Sequence, residues 1–136
     1  MTASPQTPVP AGRAAPPTDR IALVGLAGHG RHGVLDTERE AGQLFRVDVV
    51  LGLDTRPAAR SDDLADTVDY GALAHDVLGV VEGEPVDLIE TLAQRIADVC
   101  LVDERVQWTE VTVHKPAAPI EATFSDVVLT IHRSRR

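Results

Sequence analysis

Glu38, Tyr70, Glu90 and Lys115 carry the groups that proton-transfer chemistry on a small polar ligand requires. Carboxylates accept protons or paired N–H donors; a phenol or an ammonium gives protons up. Each of the four also has an ordinary structural reading. Glu38, in LDTEREAGQLF, reads as a solvated charge in a loop before a strand. Tyr70, the single tyrosine, reads as a partly buried residue at a helix start whose hydroxyl finds a partner. Asp87-Leu88-Ile89-Glu90 fits a D-x-x-E capping pattern. Glu90 also borders an apolar helix stripe, near Ala97 and Leu101 on the wheel, and from there a carboxylate can point into a ligand crevice. Both readings of Glu90 stay open. Lys115, in VTVHKPAAPIEA, reads as a solvated lysine at a strand exit stiffened by Pro116 and Pro119.

Two other clusters carry weaker signals. Gly28–Gly33 (GHGRHG) lacks the Lys-Ser/Thr ending of a P-loop and the strand-to-helix setting of a dinucleotide fold. A turn between two strands is the expectation there. His29 and His32 lie close in sequence, with His75, His114 and His132 elsewhere. Zinc needs three or four converging ligands, and no HExxH or CxxC is present, so no metal site is expected.

Elements of ordinary kinds must position these groups. The 136 residues suit one domain, and a 43% hydrophobic content with 3% aromatics predicts a core of Val, Leu, Ile and Ala. A formal net charge of −8 argues against general nucleic-acid binding, which needs a basic surface. The single cysteine, Cys100, allows no intrachain disulfide and suits a reducing, cytoplasmic setting. No apolar run reaches the length of a membrane span, and the N-terminus lacks a signal-peptide core.

Residues 1–18, rich in Pro, Ala, Ser and Thr, are expected to form a disordered tail before a domain over 19–136. Residues 20–27 read as a first strand. Phe45, Val47, Val49, Leu51 and Leu53 alternate with their neighbours as one apolar strand face. A polar connection over 56–69 leads to a helix over 70–81 with Asp69 as N-cap. A second helix spans 88–102, striped by Leu88, Ile89, Leu92, Ile96, Val99 and Cys100. Strands over 106–115 and 124–133 close the chain. The order ββααββ predicts an α+β fold: a four-stranded antiparallel sheet with two helices on one face. Its open edges predict oligomerisation.

GRHGVLDTEREAGQLFRVDVVL, SDDLADTVDYGALA, EPVDLIETLAQRIAD and VTVHKPAAPIEA recur in the order and approximate spacing of one family. Over nearly all of residues 20–133 the sequence resembles dihydroneopterin aldolase, of the tunnelling-fold group. The resemblance implies catalytic roles for Lys115, Tyr70 and Glu38. It implies that Glu90, with Ile89, anchors the pterin. Thr67, Val68 and Asp69 match a strip that approaches the pterin from a neighbouring subunit, although Asp69 stands where a histidine is common. Ile120-Glu121-Ala122 replaces a Pro-Gly frequent after the lysine loop. The resemblance also implies four-subunit rings, often stacked as octamers, with active sites shared between subunits.

The implied reaction splits a dihydropterin side chain by retro-aldol chemistry in folate biosynthesis. The substrate's own C=N bond takes up the electrons, so no cofactor, Schiff base or metal is expected. Lys115 would need a pKa brought towards neutrality to act as general acid–base. Two alternatives accompany this reading: a dihydroneopterin-triphosphate epimerase and a catalytically silent pterin-binding ring protein. The absence of an obvious basic cluster for a triphosphate tail favours the aldolase over the epimerase.

Overall fold

The computed structural model describes residues 16–17 and 19–135. Strand β1 (Arg20–Gly30) is followed by helix α1 (Asp36–Ala41), strand β2 (Gln43–Gly52) and helix α2 (Arg56–Ser61). A 3-10 turn (Leu64–Asp66) precedes helices α3 (Tyr70–Glu82) and α4 (Ile89–Cys100) and strands β3 (Trp108–His114) and β4 (Val128–Ser134). The sheet order is β1-β2-β3-β4, with every neighbouring pair antiparallel. Helix α3 packs on β1, α4 packs on β3 and β4, and the two helices pack on each other.

Alternation in β2 settles which face is inside. Phe45, Val47, Val49 and Leu51 are fully buried, and Leu44 and Arg46, on either side of Phe45, are exposed. Val111 and Val113 of β3 continue this inner face, and Val77, Val81, Leu92, Ala93 and Ile96 of the helices cover it. Burying such side chains contributes about 1.5–3 kcal/mol each before entropy is counted. Thr109, on the same face, is tolerated because its hydroxyl donates to the Val50 carbonyl at 2.9 Å.

Three sequence expectations need correction, and one open alternative is decided. First, Gly28–Gly30 is not a turn: these residues extend β1 and pair with Phe45, Leu44 and Gln43. The glycines serve close packing instead, since a Cβ on Gly30 would lie 2.7 Å from the Val81 carbonyl oxygen. Second, the 56–69 connection holds α2 and the 3-10 turn, both too short to show a helical period. Third, the last strand begins at Val128 rather than at 124. Pro116 has no N–H, so the β3–β4 ladder stops after the Lys115 N–H bonds the Val127 carbonyl at 2.8 Å. The D-x-x-E cap, the open alternative, does not form. Leu88 is the N-cap of α4 with no side-chain hydrogen bond, and the Asp87 carboxylate pairs instead with Arg39.

Asp69 does cap α3, accepting from the Ala72 N–H at 3.1 Å. The tail over 1–18 lies outside the described residues except for Pro16 and Pro17. The Pro17 carbonyl accepts from the Trp108 indole N–H at 3.2 Å. Among the described residues, no helix is long and apolar enough to cross a membrane.

His32 ties the chain after β1 to the helical layer. Its Nδ1 accepts from the Val86 N–H at 3.1 Å, which leaves Nε2–H to donate to the Val81 carbonyl at 2.7 Å. Both ring nitrogens are therefore committed, and the ring is buried edge-on against Phe45 at 5.3 Å. Burial, outweighing the Val81 bond, lowers its pKa below the ordinary 6.5, with Arg39, Arg95 and Lys115 adding repulsion. A depressed histidine pKa contributes stability in full above the unfolded value. That contribution is lost as pH falls through the folded one. Wild-type melting temperature is expected to drop as pH falls below about 6.5, and a His32→Ala chain to lack that part of the drop. His32→Ala is also expected to cost about 3 kcal/mol in chemical denaturation, from two orphaned backbone groups and a cavity.

Candidate active site

Where β2 begins and β3 ends, the loop before α1 folds across the edge of the sheet. Arg31 holds α1 from behind, donating to the Glu40 carbonyl at 2.9 Å. Glu38, on the helix's inner side, is buried. Its Oε1 accepts from the Leu35 N–H at 3.3 Å, and its Oε2 accepts from the Gln43 side-chain amide at 3.0 Å. The Lys115 ammonium sits 2.6 Å from the same Oε2. Lys115 is itself buried, with Nζ 5.9 Å from the centre of the Phe45 ring. Burial pushes the Glu38 carboxyl up, but Lys115, the Leu35 N–H and the Gln43 amide together hold it below the usual carboxylate range.

Both ordinary readings therefore fail at these two positions: neither Glu38 nor Lys115 is a solvated surface charge. Sinking an ion pair costs several kcal/mol per charge unless further hydrogen bonds compensate. Pairs kept under such conditions are candidates for function. Gly33 makes room for the carboxylate. At its φ of +153°, an added Cβ would lie 2.2 Å from the Glu38 carboxyl carbon.

Tyr70 and Glu90 form no hydrogen bond or ion pair with the Lys115–Glu38 pair among the described residues. Tyr70 is the first residue of α3 and Glu90 the second of α4, and both are exposed. The Tyr70 hydroxyl has no protein partner among the described residues, contrary to its ordinary reading. Thr67 is partly buried, Asp69 is exposed, and the Val68 side chain is part of the core. Ile89 is partly buried against the core. Arg39 links the Glu38 loop to the start of α4, donating to the Gly33 carbonyl at 3.0 Å and pairing with Asp87. An open cleft runs along this junction, lined by Val34, Arg39, Val86, Leu88, Thr91 and Arg95.

Gln43, Gly33 and His32 were not singled out as site residues by sequence reasoning. Gln43 is five residues from Glu38, but its role appears only when α1 folds the two together. Its Oε1 is buried with no hydrogen-bond partner among the described residues. Among the described residues, no three His, Cys, Asp or Glu side chains gather as a metal site. Cys100, the last residue of α4, is buried, and burial pushes its thiol up to about 11, which leaves it inert as a nucleophile.

A four-stranded antiparallel α+β domain with a buried lysine–glutamate pair at the end of its sheet places this chain among domains that can host acid–base chemistry. Residues 21–132 match the family model for dihydroneopterin aldolase. A dihydroneopterin aldolase of Streptomyces coelicolor is 64% identical over 117 residues, covering 86% of this chain and 98% of that protein. One from Bacillus subtilis is 41% identical over 118 residues, with 86% and 98% covered. The crystal structure of the Escherichia coli dihydroneopterin aldolase in complex with neopterin is similar at TM-score 0.78 and 31% identity, covering 86% of this chain and all of that one. The chain belongs to the dihydroneopterin aldolase family.

Gly33→Ala tests the geometry of the pair. The new methyl displaces the Glu38 carboxylate and so leaves Lys115 misplaced. Turnover of 7,8-dihydroneopterin is expected to fall about a hundredfold with the far-UV circular dichroism unchanged. Full activity in a folded Gly33→Ala chain would show that the carboxylate position is not needed.

Proposed function

We propose that this chain cleaves 7,8-dihydroneopterin by a retro-aldol reaction to 6-hydroxymethyl-7,8-dihydropterin and glycolaldehyde, a step of folate biosynthesis. The observation that carries the residue roles is the buried 2.6 Å contact between Lys115 and Glu38. Glu90 accepts two parallel N–H donors from the amidine-like edge of the pterin, a charge-assisted bidentate contact that its exposed position at the start of α4 permits. Ile89 lines the ring beside it. The substrate's 2′-hydroxyl loses its proton, the adjacent C–C bond breaks, and glycolaldehyde leaves. The electron pair enters the ring's C=N bond, giving an enamine. Protonation of that enamine at carbon completes the product. Because the ring is its own electron sink, the chemistry calls for neither a lysine Schiff base nor a metal.

Lys115 acts as general acid–base near the ring nitrogen through ordered water, and Glu38 and Gln43 hold it there. Tyr70 relays the proton between hydroxyl and product carbon. Within one subunit Tyr70 is exposed and unpartnered, so we assign it to the site of a neighbouring copy, together with Thr67, Val68 and Asp69. A ring of four chains, alone or stacked as an octamer, fits the two open sheet edges at β1 and β4. The neopterin complex of the Escherichia coli relative supports a dihydropterin ligand. Reversible cleavage also allows some side-chain epimerisation. A cytoplasmic setting suits the single buried thiol.

The test is anaerobic incubation with 7,8-dihydroneopterin and a chelator, with the pterins followed by chromatography. Expected are 6-hydroxymethyl-7,8-dihydropterin and glycolaldehyde in equal amounts, with the triphosphate turned over poorly. No cleavage by the folded oligomer, or preference for the triphosphate, would reject the proposal. Lys115→Ala is expected to lower kcat by about two orders of magnitude or more. Glu90→Ala is expected to weaken pterin binding roughly tenfold to a hundredfold, the loss of one charge-assisted contact. Unchanged affinity would take the anchoring role away from Glu90.

A further inference from the structure

On the sheet face away from the helices, next in sequence to Lys115, His114 is held by two carboxylates. Its Nε2 lies 2.8 Å from Asp48 Oδ2 and its Nδ1 lies 2.8 Å from Asp126 Oδ2. Asp48 belongs to β2, and Asp126 precedes β4, so one imidazole joins three segments of the sheet. The linkage reaches β1 as well. Asp48 Oδ1 accepts from the Gly25 N–H at 2.7 Å, at a bulge where Gly25 takes φ +75°. Asp126 Oδ1 is buried with no hydrogen-bond partner among the described residues, so His114 is the one group that neutralises this carboxylate. Two ionised acceptors on one imidazole require a proton on both ring nitrogens.

We propose that His114, clamped by Asp48 and Asp126, is a positioning residue that fixes where Lys115 leaves the sheet. The reading rests on the proton-transfer role given to Lys115 above. His114 occupies the last rung of the β2–β3 and β3–β4 ladders, opposite Arg46 and Val128. One residue on, only the Lys115 N–H to Val127 carbonyl bond remains before Pro116 ends the pairing. Asp126 and Val127 are neighbours, so a side-chain bond and a backbone bond grip the two strands at consecutive positions. Adjacent residues of a strand point to opposite faces. A clamp at His114 on the outer face therefore sets the stem of Lys115 on the inner face without touching the ligand.

The Asp48 and Asp126 bonds raise the His114 pKa above its ordinary value against the opposing effect of burial. The charged groups facing it are Asp48 and Arg46 from β2 and Asp126 from the segment before β4; β1 offers the Gly25 backbone N–H through Asp48. A raised histidine pKa keeps the clamp intact at low pH and loses it as pH rises through the folded value.

Steady-state kinetics on the full chain test this, with nitrogen-15 NMR of lysine ammonium groups as a second readout. For His114→Ala, kcat is expected to fall about tenfold with KM within twofold, because the clamp makes no hydrogen bond to α4, which carries Glu90. The ammonium signal of Lys115, protected by Glu38 in the wild type, is expected to broaden. For Asp126→Asn, which removes one carboxylate, the alkaline limb of kcat is expected to move to lower pH. A folded His114→Ala chain with wild-type kcat and an unchanged ammonium signal would overturn the proposal. If that chain does not fold, wild-type kcat and an unmoved alkaline limb in Asp126→Asn overturn it instead. Should Lys115→Ala keep its turnover, the catalytic role of the lysine fails. The ammonium signal then still decides whether the clamp positions it.

Discussion

An ammonium group buried at the end of a β-sheet has to be given a counter-charge, and much of this subunit is arranged around that need. Lys115 leaves the last rung of β3 towards the helical side of the sheet. The carboxylate that meets it comes from a separate helix of six residues, too short to be stable alone. Helix α1 is held by its surroundings instead: Arg31 on its C-terminal carbonyls, Gly33 beneath its carboxylate and Arg39 across to Asp87. The contacts that look like loop stabilisation are therefore also the contacts that place Glu38.

The apolar core provides the frame on which those polar contacts depend. Phe45 is the first fully buried residue of β2, and its ring faces both Lys115 and His32. Gly28 and Gly30 let α3 approach β1 closely enough for the Val81 carbonyl to meet His32. Packing thus fixes His32, His32 fixes the loop after β1, and that loop leads into the helix that carries Glu38. Low tolerance for misplacement is expected of such a chain of contacts, because packed interiors transmit small shifts rather than absorb them.

The groups assigned to the site differ in exposure. The Lys115–Glu38–Gln43 group is enclosed, whereas Tyr70 and Glu90 stand on the surface at helix starts. Open edges at β1 and β4 offer backbone groups for pairing with other copies. In the proposed ring a ligand would meet Lys115, Glu38 and Glu90 from one copy and Tyr70 from the next.

Periodicity in the sequence was enough for the α+β layout, the four strands, the two long helices and the inner face of β2. Alternation at two residues and a stripe at helical spacing are local consequences of burial. The family was legible too, because four segments keep their types and order. Other features were not legible. Glycines in GHGRHG suggested a turn, yet Gly28 and Gly30 lie within a strand, and their reason is the helix packed across them. Asp87 and Glu90 suggested a cap, yet Asp87 is taken by Arg39, 48 residues away in sequence. Glu38 and Lys115, 77 positions apart, each looked like a solvated charge. Only tertiary structure brings them within 2.6 Å, because burial and pairing of charges depend on which distant segments share one interior.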